Sequence, residues 1–307
     1  MSKRPGDFLR VIDLTREEII SLLDRAIELK KGLREGRNHV PLKGKILGLL
    51  FEKPSTRTRI SFESAMYHLG GECTFLSSDN LQLSRGEPLK DTARVLSRYL
   101  DCLAVRTYGH EIVEELAEWA SIPVINALTD LHHPCQALSD IMTVIEKKGS
   151  DLSSLKIAWV GDGNNMAHSW IETAGRLNFT LYLACPEGYE PDPEIIKEAS
   201  EAGNSNIIVT HDPVEAVKDA DVVNTDVWAS MGQEKEADER KKIFAPFQIN
   251  SKLLSNAASD AIVLHCLPAH RGEEITEDVL EGEKSVVWDQ AENKMHLHRA
   301  LLEYLDI

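Results

Sequence analysis

The chain has 307 residues, 42% hydrophobic and 27% charged, with 34 Lys and Arg against 50 Asp and Glu, a net charge of −16. That length holds one large or two ordinary domains with real cores. The acidic balance argues against a nucleic-acid or anionic-membrane surface, so any anion site must be a local positive pocket.

No apolar run approaches a membrane span, and the N-terminal MSKRPGDFLRV lacks a signal-peptide core. The five cysteines (Cys73, Cys102, Cys135, Cys185, Cys266) are odd in number and widely spaced, with no CxxC pair. They read as reduced thiols, and the expected location is cytoplasmic.

The first predicted element is a helix over 14–33, with Thr15 and Glu18 in capping-box spacing. The apolar run GKILGLLFE (44–52) follows as a strand. Behind it FEKPSTRTRIS (51–61) leads into a helical pattern over 56–69 that stops at a Gly pair. Ser55, Thr56, Arg57 and Thr58 thus fall where a strand turns into the first turn of a helix. Unpaired backbone N–H groups and the helix dipole meet hydroxyls and guanidinium groups there, a setting for a phosphate-like anion. An ordinary N-cap with solvated arginines fits that position equally well.

Strands are expected at 72–76, 101–106 and 122–127, separated by helical patterns at 88–99 and 110–120. Arg106 stands at a strand end, where a surface role is the simpler reading. After PVINAL comes TDLHHPCQAL (129–138), with Pro134 suited to a helix start. His133 at that mouth is a candidate donor to a developing oxyanion, and Gln136 a candidate for holding an amide. A structural histidine is the alternative. His132, His133 and Cys135 lack a convincing metal-ligand spacing, so no metal is expected.

A long helix over 133–149 closes this half. Strands then recur at 155–162, 179–185, 206–210, 220–225 and 261–266, with helices at 165–176, 192–202 and 213–218. WVGDGNNMAHS (159–169) opens like a dinucleotide fingerprint but places Met166 at the third glycine position, with Glu187 as the later acid. Asn164 and Asn165 at that helix start fit a carboxylate ligand at least as well. DVWASMGQE (226–234) reads as a polar loop, irregular to about 240 and a candidate lid. Cys266 ends the last strand in HCLPAHRGEEI (265–275), where substrate contact and plain packing both remain open.

Alternation of strands and helices predicts α/β architecture: two doubly wound parallel-sheet domains joined by two bridging helices, 133–149 and 291–305. The expected division is 1–148, with 291–307 packing back on it, and 149–290. In open sheets of this kind ligands collect at the C-terminal ends of the strands. One half offers an anion cradle, Arg, His and Gln; the other offers Asn, Asp, Ser and Cys. That set suits a phosphorylated substrate and a second, amine-bearing one.

Together FxKPSxRTR (51–59), HPCQ (133–136), DxWxSMGQE (226–234) and HCLPAHRGEEI (265–275), in this order over nearly the whole chain, resemble the ornithine branch of the aspartate/ornithine carbamoyltransferase family. STRTR and HPxQ are shared by the wider family; the SMG loop and HCLP are more particular to the ornithine branch. The resemblance implies transfer of a carbamoyl group from carbamoyl phosphate to the δ-amine of L-ornithine, giving citrulline and phosphate in arginine biosynthesis, with no cofactor. By the same resemblance Ser55, Thr56, Arg57, Thr58 and Arg106 hold the phosphate. Thr58, Arg106 and His133 bond the carbonyl oxygen. Gln136 and the backbone at Cys266 and Leu267 hold the carbamoyl NH2. Gln82 reaches a neighbouring subunit, implying a homotrimer or a multiple of trimers. Asn165 and the backbone at Met231 take the ornithine carboxylate, Asp226 and Ser230 its α-amino group, and Cys266 faces the δ-amine. Arg57, Arg106, His133 and Cys266 form the implied catalytic set. Where the family usually carries arginine this chain has Lys294, which keeps the charge without the planar fork. Another amine acceptor such as putrescine, a nicotinamide-dependent oxidoreductase and a non-catalytic paralogue are the competing readings.

Overall fold

The computed structural model describes residues 6–77, 86–203, 206–229 and 236–307. The chain forms two compact units: Met1–Met142 with Glu292–Ile307, and Thr143–Ala291.

The first unit opens with α1 (Arg16–Arg34), capped as its sequence predicts. Thr15 Oγ1 accepts from Glu18 N and the Glu18 carboxylate accepts from Thr15 N at 2.7 Å. Ile19, Leu22, Leu23, Ala26 and Leu29 share its buried stripe. A four-stranded parallel sheet follows, built from β1 (Ile46–Phe51), β2 (Glu72–Ser77), β3 (Cys102–Arg106) and β4 (Val124–Leu128) in the order β2-β1-β3-β4. The central strands β1 and β3 are almost continuously apolar and buried, as strands covered on both faces must be, whereas edge strand β2 is largely accessible. At Gly48 in β1 a β-carbon would lie 2.4 Å from Leu100 Cδ1, so the Leu100 side chain fills the space a larger residue would need. Helices α2 (Thr56–His68), α3 (Leu89–Leu96) and α4 (His110–Trp119) connect the strands. Helix α5 (Pro134–Lys148) starts on its proline and runs from the first unit into the second.

The second unit carries a five-stranded parallel sheet of β5 (Lys156–Val160), β6 (Thr180–Ala184), β7 (Asn206–Thr210), β8 (Val222–Thr225) and β9 (Ile262–His265), in the order β7-β6-β5-β8-β9. Its helices are α6 (Asn165–Leu177), α7 (Pro193–Ala202), α8 (Pro213–Val217), α9 (Ala237–Phe244), α10 (Ser251–Leu254) and α11 (Glu277–Leu280). Asp192 and Asp212 cap α7 and α8, each followed by proline in the first turn. The last helix, α12 (Val287–Tyr304), returns the chain to the first unit.

Helices α10 and α11 have no counterpart in the sequence reading, and two further elements differ from it. The segment expected to be irregular to about 240 is helical from Ala237, because Arg240 and Phe244, one turn apart, are both buried while charged residues face outward. Helix α12 starts four residues before the expected 291, and its first turn includes Gln290, whose Oε1 accepts from His265 N at 2.9 Å.

Both sheets reverse direction at one point. In the first, the chain leaves β1 for β2 on one side and reaches β3 on the other; in the second the reversal lies between β5 and β8. The loops after β1 and β3, and those after β5 and β8, therefore flank the two switch points where such sheets bind ligands.

Candidate active site

In the first unit, Ser55 is the N-cap of α2: its Oγ accepts from Thr58 N at 3.2 Å. Thr56 and Arg57 are exposed in the first turn, while Thr58 is buried on the opposite side. The first turn thus presents backbone N–H groups, two hydroxyls and a guanidinium at one helix end. Lys53, just before it, is buried; its Nζ pairs with Asp130 and lies 4.0 Å from the Tyr108 ring centroid. Arg106 ends β3 and is 8% exposed. The β3–β4 register shifts between Val105 and Arg106, an irregularity that re-aims the last side chain of the strand.

Three residues from two distant segments of the sequence converge on Lys294 Nζ, itself 5% exposed on α12. It lies 3.1 Å from Thr58 Oγ1, 2.9 Å from Gln136 Oε1 and 3.4 Å from His133 Nε2. The Gln136 amide nitrogen donates to Asp140 Oδ1 at 2.8 Å. An ammonium only donates and an ionised carboxylate only accepts, so the orientation of this amide is fixed. His133 is buried, and that burial, with Lys294 and Arg106 nearby, pushes its pKa well below the ordinary histidine value. It is neutral at pH 7. A neutral ring among fixed cations neutralises no further anion; it offers one hydrogen bond. The sequence-predicted Thr58, His133, Gln136 and Lys294 thus share one buried polar cluster, with the Arg106 charge near enough to act on His133.

In the second unit, Asn164 caps α6, accepting from Met166 N at 2.9 Å and Ala167 N at 3.2 Å, while Asn165 is the first helical residue and half-buried. Asp226 follows β8 and is the hub. Its Oδ1 accepts from Cys266 Sγ at 3.0 Å and Val227 N at 2.8 Å, and its Oδ2 from Asn164 Nδ2 at 3.2 Å. Cys266 and Leu267 follow β9; Leu267 has φ +59° and precedes a cis peptide bond to Pro268. Asn165, Asp226 and Cys266 are thereby gathered at the C-terminal ends of β5, β8 and β9. Gln82, Ser230 and Met231 lie outside the described residues.

Two features escaped the sequence reading. Arg240 on α9 is buried, pairs with Asp162 after β5 and donates from Nε to Trp228 O after β8. Its guanidinium carbon lies 4.8 Å from the Tyr189 ring centroid and 5.0 Å from that of Phe244. Burial lifts the Asp162 pKa to about 6 although Arg240 opposes the rise. Nothing local couples positions 78 residues apart. The other is the buried pair His265 and Glu274. The glycines of GDGNN have local duties. Gly161 sits at φ +142°, and a β-carbon on Gly163 would meet Pro191 N at 2.3 Å. Asp226, His265 and Cys266 have the proximity of a metal triad, but both His265 ring nitrogens are engaged within the protein, at Leu267 N and Glu274.

Two doubly wound units with polar clusters at the ends of their strands, one rich in cations and one in carboxylate and amide groups, define an α/β protein with two candidate ligand-binding clusters. The chain belongs to the aspartate/ornithine carbamoyltransferase family. Residues 6–146 match its carbamoyl-P binding domain, and residues 153–305 match its Asp/Orn binding domain. It is 65% identical to the ornithine carbamoyltransferase of Desulfotalea psychrophila over 95% of this chain and 96% of the relative. It is 54% identical to the anabolic ornithine carbamoyltransferase of Pyrococcus furiosus, over 96% and 95% of the two chains. The solved ornithine carbamoyltransferase from Pyrococcus furiosus superposes with a TM-score of 0.93 at 52% identity, covering 98% of this chain and 97% of that one.

Proposed function

We propose that this chain transfers the carbamoyl group of carbamoyl phosphate to the δ-amine of L-ornithine, releasing citrulline and phosphate on the anabolic route to arginine. The observation that carries the reading is the buried cluster of Thr58, His133, Gln136 and Lys294 behind the Ser55-capped helix end. Such a site suits a small, strongly anionic ligand with one carbonyl and one amide group.

Residues 1–148 with 291–307 bind carbamoyl phosphate, and residues 149–290 bind ornithine. Ser55, Thr56, Arg57 and Thr58 with Arg106 hold the phosphate by charge-assisted hydrogen bonds. Thr58, Arg106 and neutral His133 donate to the carbonyl oxygen, which gains negative charge as the tetrahedral intermediate forms. Gln136 Oε1, already bonded to Lys294 Nζ, has a second lone pair for the carbamoyl NH2, which the backbone carbonyls at Cys266 and Leu267 also receive. Lys294 contributes charge beside the same group. Asn165 and Met231 take the ornithine carboxylate, and Asp226 and Ser230 its α-amino group.

The δ-amine attacks the carbonyl carbon through its lone pair, so it must first lose its proton. Collapse of the intermediate breaks the bond to the phosphate oxygen, phosphate leaves with the electron pair, and the extra proton on the attacking nitrogen passes to the departing phosphate. Positioning and electrostatics carry this chemistry, and no cofactor enters any step. The enzyme acts in the cytoplasm as a homotrimer or a multiple of trimers, with Gln82 reaching a neighbouring subunit. Among the described residues no helix is long and apolar enough to cross a membrane.

The test offers purified protein and carbamoyl phosphate with ornithine, putrescine or aspartate, and follows the ureido product. Product with ornithine alone is expected. Putrescine carries no carboxylate for Asn165, so turnover with putrescine at the ornithine rate would replace this acceptor assignment.

A further inference from the structure

His265 ends β9, and its side chain and that of Glu274 are fully buried. The ring Nε2 lies 3.0 Å from Glu274 Oε1, and Nδ1 lies 2.9 Å from the backbone nitrogen of Leu267. A backbone N–H only donates, so Nδ1 is the acceptor. The ring proton is then on Nε2 and is donated to the carboxylate. Glu274 Oε1 also accepts from His270 N at 2.6 Å. One carboxylate oxygen therefore holds both ends of the turn that carries Cys266 and Leu267. Glu274 is itself anchored, because its carbonyl accepts from Ile249 N at 2.8 Å and the next residue, Ile275, is fully buried.

That turn needs holding. Leu267 sits at φ +59°, a left-handed conformation that a residue with a branched side chain seldom adopts without support. The bond from Leu267 N to His265 Nδ1 is that support, and it exists only for the ring tautomer that Glu274 selects. We propose that Glu274 is a positioning residue which, through the His265 imidazole, fixes the backbone of Cys266 and Leu267 in the conformation that receives the carbamoyl amide. The assignment of what this backbone receives rests on the proposed carbamoyl transfer.

The variants that test it are Glu274→Met, which removes the acceptor at similar length, and Glu274→Gln, which keeps a carbonyl oxygen for His265 and His270. Nitrogen-15 NMR of the His265 ring reads the tautomer without reference to turnover. The wild-type protein and Glu274→Gln are expected to show the neutral Nε2–H form, and Glu274→Met a mixture. Corrected for folded protein, kcat is expected to fall about 10–100-fold in Glu274→Met, in the range of losing one aligned polar contact to the reacting group. It stays within about threefold in Glu274→Gln. Carbamoyl phosphate affinity without ornithine, set mainly by the first unit, changes less than about threefold in both. A purely structural role would lower Tm in both variants and leave kcat per folded molecule alike. That result, or a wild-type ring protonated on Nδ1, overturns the proposal. Absence of any ureido product from the wild-type protein would instead remove the functional reading, and the ring signature would still be decided separately.

Discussion

At the scale of single residues, Lys294 is the most informative position. Its ammonium has three hydrogens, and Thr58 Oγ1 at 3.1 Å, Gln136 Oε1 at 2.9 Å and His133 Nε2 at 3.4 Å stand around it. A planar fork at the same place would reach two acceptors in one plane and leave more charge directed at a ligand. Lys294→Arg is therefore expected to lower the KM for carbamoyl phosphate severalfold. Lys294→Met removes a buried charged donor, a loss of about 1.5–3 kcal/mol, so the same KM should rise roughly 10–100-fold. Unchanged constants in both variants would show that the position does not contact the substrate. Neutral His133 makes a second claim here: its charge does not change across the working pH range. The rise of kcat/KM with pH should follow deprotonation of the substrate amine and persist in any active His133 variant. A profile whose acid limb disappears on substitution of His133 would contradict that.

At the scale of elements, the joint between α9 and the ends of β5 and β8 is held by Arg240, which binds Asp162 and Trp228 O. Removing one partner of a buried ion pair strands the other, at about 3–5 kcal/mol. Arg240→Met should lower the unfolding free energy by that order, and adding Asp162→Asn should restore part of it. Additive losses would mean that the pair is not coupled. Elements were the most legible part of the sequence. Capping chemistry at Thr15 and Ser55, proline at the start of α5 and continuous apolar strands all act within a few residues, and local signals report them. The start of α9 was misread because its burial depends on Arg240 finding Asp162, a long-range event with no local trace. At the strand ends Arg106 read as a surface residue, though it is buried, and Asp226 entered only through the resemblance, whereas Asn165 and Cys266 were legible as candidates from position. Glu274 was not, because its role depends on a tautomer set by Leu267 N.

For the whole molecule, an acidic chain with net charge −16 concentrates cations at one sheet end, so attraction of an anionic substrate is local and short-ranged. The same burial fixes how stability responds to acid. His133 and His298 are held well below the ordinary value and His296 near about 4, chiefly by desolvation. Each is neutral when folded and charged when unfolded below about pH 6.5. The unfolded chain then binds more protons, and stability falls as pH drops, by about 1.4 kcal/mol per pH unit for each group. Asp162, with its pKa raised to about 6, has the opposite sign: the folded state takes up its proton first, which offsets one histidine below that pH. Taken together these four groups are expected to cost roughly 3 kcal/mol between pH 6 and pH 5, and the lowered pKa values of His68 and His110 act in the same direction. Denaturant midpoints measured across that interval check it, and a flat profile would contradict the buried neutral histidines.

The central claim is bond formation between the carbamoyl carbon and the δ-nitrogen of ornithine. The most direct measurement mixes the protein with carbon-13 carbamoyl phosphate and δ-nitrogen-15 ornithine and follows the product by NMR. The account predicts a ureido carbon split by one-bond coupling to the labelled nitrogen, with one phosphate released per citrulline. Phosphate release without the coupled carbon, or coupling to the α-nitrogen, would contradict it.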